Sequence, residues 1–281
     1  MSSSTSPVNL ASPAAAASAY RFEHPGIGDV MRDMYIGQNE PGPGDHVGPF
    51  ELQFTDGRWL RSSELPAEQA PVLLIFGSAS CPMMVSGVAG LKVLHEVFGA
   101  RVRFVLVQVR EAHPGAAIPQ PQTLQQKQQH ARALQRHYEL PFEVAVDDIE
   151  GTLHQRLGGR PNSAYLLSPA GIILFRAQWV NQTAAIGAAL AAIVADRMPA
   201  ALTVTNSFRA VLQSVGFTTR VISSAGRGAR LDFWKMALPV ALLAAVADLL
   251  YFIPREKRGA CAMALVAVAM SGLVATLQRM G

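Results

Sequence analysis

The stretch Val72-Leu73-Leu74-Ile75-Phe76-Gly77-Ser78-Ala79-Ser80-Cys81-Pro82 decides how the chain folds. Its first five residues are an unbroken apolar run of buried-strand length. Cys81 then stands at a strand-to-helix junction, the positive end of a helix, where unsatisfied N–H groups favour thiolate over thiol. That makes it a candidate nucleophile. The plainer alternative is a small buried hydrophobe, which describes most free cysteines.

Working outward, Val102 to Val109 is a second β-branched apolar run, and Val85, Val88, Leu91, Leu94 and Val97 lie between the two runs at helical spacing. A βαβ unit follows, and the crossover rule makes its strands parallel. Upstream, Phe50 to Phe54 alternates like a half-exposed strand and Thr55-Asp56-Gly57-Arg58 is a turn. Downstream come a polar helix from about Thr123 to Tyr138, a strand at Phe142 to Val146 and a short helix near Thr152 to Leu157. An antiparallel pair, Ala164 to Leu167 and Ile172 to Arg176, turns at Ser168-Pro169-Ala170-Gly171, and a helix at Thr183 to Val194 closes the pattern. The predicted fold class is α/β: a thioredoxin-like domain over 44–195, a central mixed sheet flanked by helices, followed by a C-terminal transmembrane helical hairpin.

The 281 residues carry a net charge of +4 from scattered arginines, without the basic runs of a nucleic-acid surface. No nucleic-acid partner is expected. The two cysteines, Cys81 and Cys261, are too far apart for a Cys-x-x-Cys dithiol or a zinc site. Residues 1–20 are rich in Ser, Ala and Pro and read as a disordered leader rather than a secretory signal. A reducing compartment fits a single free thiol. Residues 21–43 suggest an irregular covering segment, and 196–232 a linker or juxtamembrane segment.

Over 233–277 the run from Phe233 to Ile253 and the run from Gly259 to Leu277 are each about long enough to cross a bilayer, with Pro254 to Arg258 between them. Two transmembrane helices are expected, with the bilayer as partner. Trp234 and Tyr251 suit the interfaces, Lys235 can snorkel, and Asp248 is the awkward residue within the span. Basic residues flanking the outer ends slightly outnumber those of the loop, which puts the large N-terminal domain in the cytoplasm. Gly259 and Ser271-Gly272 supply small residues through which the spans could form a homo-oligomer.

The motif Phe76-Gly77-Ser78-Ala79-Ser80-Cys81-Pro82, then Glu111-Ala112-His113-Pro114, Val144-Ala145-Val146-Asp147 and Tyr165-Leu166-Leu167, resembles the iodothyronine deiodinase family. The resemblance implies that Cys81 takes the place of the catalytic selenocysteine, or cysteine in relatives, and that His113 falls on the active-site histidine. Ala79 stands where animal members commonly have a second cysteine. Another family histidine would fall near Pro121-Gln122, and an arginine falls on Ser163.

Cys81 and His113 end neighbouring parallel strands and so project from one sheet edge, where a neutral imidazole could take the thiol proton or an imidazolium could hold the thiolate. Ser78 and Ser80 add hydroxyl donors for a developing anion or a peroxide oxygen. Ser78 also sits three residues before the cysteine, as does the Thr or Ser of peroxiredoxins, although their upstream proline is Leu74 here. Glu111 reads equally as a solvated charge or a site acid, Asp147-Asp148 as a helix cap, and Arg160-Pro161 as a candidate cis bond beside the cysteine. Trp179, His130, His137 and His154 read as packing or surface residues. The expected function is a membrane-anchored thiol oxidoreductase with one nucleophilic cysteine. It would reduce a small-molecule or thiol/disulfide substrate, peroxidase-like or deiodinase-like, with no cofactor and an external thiol reductant. The alternative is a non-catalytic binding or scaffold module on the same fold.

Overall fold

The computed structural model describes residues 20–280; residues 1–19 of the expected leader lie outside them. The chain order is α1 (Ile27–Asp33), β1 (Glu51–Phe54), β2 (Trp59–Arg61), a short α2 (Leu65–Glu68), β3 (Val72–Gly77) and α3 (Pro82–Phe98). Next come β4 (Arg103–Gln108), α4 (Leu124–His137), β5 (Glu143–Val146), α5 (Thr152–Arg156), β6 (Ala164–Leu167), β7 (Ile173–Ala177) and α6 (Thr183–Val194). The chain ends with β8 (Thr203–Val204), α7 (Ser207–Ala225), α8 (Arg227–Met236), α9 (Leu238–Leu249) and α10 (Arg255–Met280).

The strands form one mixed sheet in the order β2-β1-β5-β4-β3-β6-β7-β8. Strands β3, β4 and β5 run parallel, with Ile75 opposite Leu106 and Leu106 opposite Val144. Strand β6 pairs antiparallel with β3, and β7 with β6. This is the thioredoxin-like arrangement that the sequence predicts. Every residue of β3 is buried because both faces of the sheet are covered. Leu73 and Ile75 face a core built with Leu91 of α3 and Leu190 of α6. Val72, Leu74 and Phe76 face the other core, against Leu52 of β1 and Leu153 of α5. The two-residue period of a strand therefore feeds both cores from one segment. The predicted turn at Ser168 to Gly171 closes as expected, with Gly171 at φ +74° and Ser168 N–H donating to the Ile172 carbonyl.

The C-terminal third departs from expectation. Residues 196–232 are not a linker: they hold β8, all of α7 and the first turns of α8. Helix α7 buries Ala210, Val215, Val221 and Ile222 and packs against α3. The apolar run at 233–253 is not one span either. Its helix stops at Met236, turns at Ala237 (φ −137°, ψ 43°) and restarts as α9 with Pro239 in its first turn. At about 1.5 Å per residue α9 is about 18 Å long, short of a hydrocarbon layer of about 30 Å. Its Ala241, Ala244 and Ala247 are buried within the helical cluster. Among the described residues one helix, Arg255–Thr276 within α10, is long and apolar enough to cross a membrane.

Helix α10 crosses α7 at close range because two glycines meet there. A Cβ on Gly216 would lie 2.1 Å from the Arg255 carbonyl oxygen, and one on Gly259 2.0 Å from that of Leu212. Gly259, read as a small residue for oligomer contacts, is thus used inside the chain. Beyond this crossing α10 is exposed, with Val268 at 72 % and Met270 at 57 %.

Candidate active site

Strand β3 delivers Cys81 to the N-cap of α3, with Pro82 as the first helical residue. The Cys81 carbonyl accepts the first helical bond, from Val85 N–H. Cys81 is only 2 % exposed, and its sulfur accepts a hydrogen bond from Asn162 Nδ2 at 3.3 Å. The N–H groups of Met84 and Met83 at the start of α3 favour its anion. Burial nevertheless outweighs these donors and pushes the Cys81 thiol up to about 11. The expectation of a resting thiolate is therefore corrected: a helix N-terminus lowers a thiol only where desolvation is smaller than the dipole's help, and here the sulfur is roofed over.

The roof consists of α1 and the preceding chain on one side and the α8–α9 elbow on the other. Between them and the sulfur lies a cavity of about 120 Å³, lined by Val30, Met34, Trp179, Phe233 and Ala237 together with Cys81, His113 and Asn162. Residues 21–43, read as irregular, line the site through positions from Phe22 to Met34 and include the helix α1. They are fastened by the buried Arg160, which pairs with Glu40 at 2.6 Å and donates to the Tyr35 carbonyl at 2.7 Å. Gln178 donates to the Asp33 carbonyl, and Arg176 to the carbonyls of Glu40 and Pro41.

His113 lines the same cavity, but among the described residues no hydrogen bond joins it to Cys81. Its Nδ1 is enclosed and has no partner, and its ring meets Phe233 edge-on at 5.4 Å. Burial, with the nearby Arg110 charge, depresses its pKa to about 4. Of the two roles weighed for His113, the imidazolium is disfavoured and the neutral ring stands. Asp33, at the end of α1, is shifted the other way, raised by burial to about 6. Arg110 itself is tied to the Gly159 carbonyl and lies over the rings of Phe22 at 4.4 Å and Tyr20 at 5.8 Å.

The two serines point elsewhere. Ser80 Oγ donates to Glu111 Oε2 at 2.6 Å and accepts from His113 N–H, while Ser78 Oγ accepts from Ala112 N–H. Both stitch the β3–α3 loop to the segment after β4, so they position Cys81 and His113 rather than face the cavity. Glu111 is the centre of this stitching and is fully buried, not solvated. Its carboxyl also accepts from Ser80 N–H and from Gln108 Nε2 at 2.8 Å, and bonds His130 Nδ1 at 2.9 Å. A hydrogen-bonded chain therefore runs from the cysteine loop through Glu111 to the partly exposed His130, a residue the sequence placed among packing or surface positions.

Asn162 is a site residue that the sequence reading missed, although Arg160-Pro161 and Ser163 bracket it, and Glu111 was left between solvated charge and site acid. The Arg160–Pro161 bond is trans, which corrects the cis expectation. Asp148 accepts from Thr152 N–H, the first helical N–H of α5, while Gly151 rather than an aspartate holds the N-cap. His154 is buried packing, held between Tyr20 OH at 2.8 Å and the Arg160 carbonyl at 2.5 Å. Among the described residues no group of three His, Cys, Asp or Glu side chains is arranged to hold a metal ion.

Residues 64–178 match the family model described as iodothyronine deiodinase. The match contains Cys81, His113, Glu111 and Asn162 and stops short of the C-terminal helices. Three solved structures are similar over about half of this chain. A hypothetical protein from Sinorhizobium meliloti 1021 is 16 % identical, with 59 % of this chain and 91 % of that one covered and a TM-score of 0.47. Peroxidoxin BcpB from Mycobacterium tuberculosis is 19 % identical, with 56 % and 99 % covered and a TM-score of 0.43. A putative thiol:disulfide interchange protein DsbE from Chlorobium tepidum is 18 % identical, with 49 % and 85 % covered and a TM-score of 0.38. No curated protein matches the chain.

Proposed function

We propose that the protein is a membrane-anchored thiol oxidoreductase in which Cys81 alone is the nucleophile, acting in a peroxidase-like or deiodinase-like reduction. The observation that supports it most is the sharing of one cavity by the N-cap cysteine of α3 and the enclosed, unpartnered Nδ1 of His113. Buried polar atoms are rarely left unpaired except where a ligand or function requires it. The deiodinase family match over the same residues favours thiol chemistry on this scaffold.

With a hydroperoxide, the Cys81 thiolate attacks the terminal oxygen, the O–O bond breaks, and the departing alkoxide takes a proton to become the alcohol. The sulfur is left as a sulfenic acid, oxidised by two electrons. Both cysteines are free, and Cys261 lies on α10, so an external thiol condenses with the sulfenic acid, releasing water, and a second thiol restores Cys81. Reductive removal of halogen from an aromatic ring is the narrower version that the family match suggests. A thiol pKa of about 11 leaves roughly one sulfur in ten thousand ionised at neutral pH. Attack therefore follows opening of the roof, which lets water and the α3 N–H groups act on the sulfur together.

Helix α10 supplies the anchor in this reading, with the sheet domain on the cytoplasmic side where the basic residues bias it. The second reading, a scaffold without thiol chemistry, is favoured by the raised Cys81 pKa alone. Peroxidase turnover by the wild type and by Cys81→Ser separates the two: equal rates would remove the enzymatic reading.

A further inference from the structure

The cavity above Cys81 has a wall unlike that of a site for a small polar oxidant. Phe233, Met236, Ala237 and Val240 of the α8–α9 elbow contribute to the lining, with Val30 of α1 and Met34 just after it. Its 120 Å³ is close to the roughly 150 Å³ of a dry apolar cavity that accepts benzene. A group of about that size would displace little ordered water and bury apolar surface on every side.

Of the uncharged polar residues in the lining, Ser214 and Thr218 spend their hydroxyl hydrogens on the carbonyls of Val211 and Ser214, which leaves Asn162 and His113 with free polar atoms. Asn162 gives its Nδ2 to the sulfur and keeps an enclosed Oδ1 with no partner, and the unpartnered Nδ1 of His113 belongs to the same cavity lining. A neutral imidazole nitrogen and an amide oxygen are both able to accept from one hydroxyl. Among the described residues, Arg110 is the one Arg or Lys lining the cavity; it donates to the Gly159 carbonyl and lies over two aromatic faces, and the carboxyls of Asp29 and Asp33 share the lining. Two carboxyls beside one arginine disfavour a carboxylate or phosphate there. Outside, the elbow is also apolar: Leu238 is 50 % and Leu242 52 % exposed.

We infer that the oxidant reduced by Cys81 is a neutral, apolar organic hydroperoxide, preferred over hydrogen peroxide. Its organic group fills the cavity against the α8–α9 elbow, and its terminal O–H is donated to the acceptors of Asn162 and His113. This inference rests on Cys81 being the nucleophile. The terminal oxygen is thereby held beside the sulfur, which takes it to become the sulfenic acid while the organic alkoxide leaves with a proton as the alcohol. A tail larger than the cavity passes out between α1 and the elbow.

The test compares kcat/KM for cumene hydroperoxide and hydrogen peroxide on the full chain in detergent, with a thiol reductant and with Cys81→Ser as the blank. The expected result is a cumene hydroperoxide value at least tenfold higher. Ala237→Phe, which fills the elbow side, should shrink that ratio about tenfold. Cumyl alcohol, which carries no oxidant, should slow alkylation of Cys81 in the unaltered chain, a readout that needs no variant to fold. Turnover that depends on Cys81 but is no faster with cumene hydroperoxide overturns the substrate class and leaves the nucleophile standing. Absence of Cys81-dependent turnover with either peroxide overturns both.

Discussion

Two polar clusters sit side by side at the carboxyl ends of β3 and β4, and they are finished differently. Around Glu111 the carboxyl is fully engaged, with Ser80, Gln108 and His130 converging on it, and only the Gln108 Oε1 at the edge of the cluster is left without a partner among the described residues. Around Cys81 the contacts are incomplete, with Asn162 Oδ1 and His113 Nδ1 enclosed and unpartnered and the thiol shifted up by burial. A satisfied buried network rigidifies, whereas unpaired buried atoms carry a free-energy cost that a ligand could relieve. The Glu111 cluster is the frame, and the Cys81 cluster is where chemistry has been left room.

The sharpest break of this comparison is at the sulfur. Cys81→Ala should drop thiol-dependent hydroperoxide reduction to the uncatalysed level while leaving the circular dichroism spectrum intact, since a small residue replaces a small one. On the framing side, Glu111→Ala strands the donors of Ser80, Gln108 and His130 and should cost about 3–5 kcal/mol in urea unfolding, the scale for opening a buried polar pair. Glu111→Gln, which keeps the shape, should cost less, about 1–3 kcal/mol.

A third change acts on the roof. Glu40→Ala removes the partner of buried Arg160 and loosens residues 21–43. The pH profile of Cys81 alkylation by iodoacetamide, with its midpoint near 11 in the wild type, should move down towards the ordinary thiol value of about 8.5. The smallest effect is on acid stability. His113 has a folded pKa of about 4, below the 6.5 of an unperturbed imidazole, so its contribution is present above pH 6.5 and is lost as pH falls towards 4. His113→Phe should remove that part of the acid dependence, about 2 kcal/mol, in unfolding measured at pH 7 and pH 5.

Local patterns carried most of the sheet domain. The Val72–Phe76 run, the Gly turn at 168–171 and the strand-to-helix placement of Cys81 each depend on neighbours in sequence, and each is found as read. Glu111 was harder, because nothing in a lone acidic residue says that Gln108, Ser80 and a histidine 19 positions on will close over it. The same applies to Cys81: its helix position was legible, but the roof that reverses its pKa comes from segments about fifty residues before it and one hundred and fifty after it. In the tail, composition alone concealed two signals. Pro239 inside the 233–253 run marked the helix break, and Val215, Ile222 and Ala225 spaced along 207–225 marked a packed amphipathic helix where a linker was expected.

The central claim is that Cys81 is a nucleophile held in reserve under a removable roof. Brief exposure of the full chain to cumene hydroperoxide with dimedone present, followed by peptide mass spectrometry, tests it most directly. The account predicts a dimedone adduct on Cys81 that forms faster in Glu40→Ala and does not form on Cys261. An unmodified Cys81 in both proteins, with the hydroperoxide left unconsumed, would contradict it.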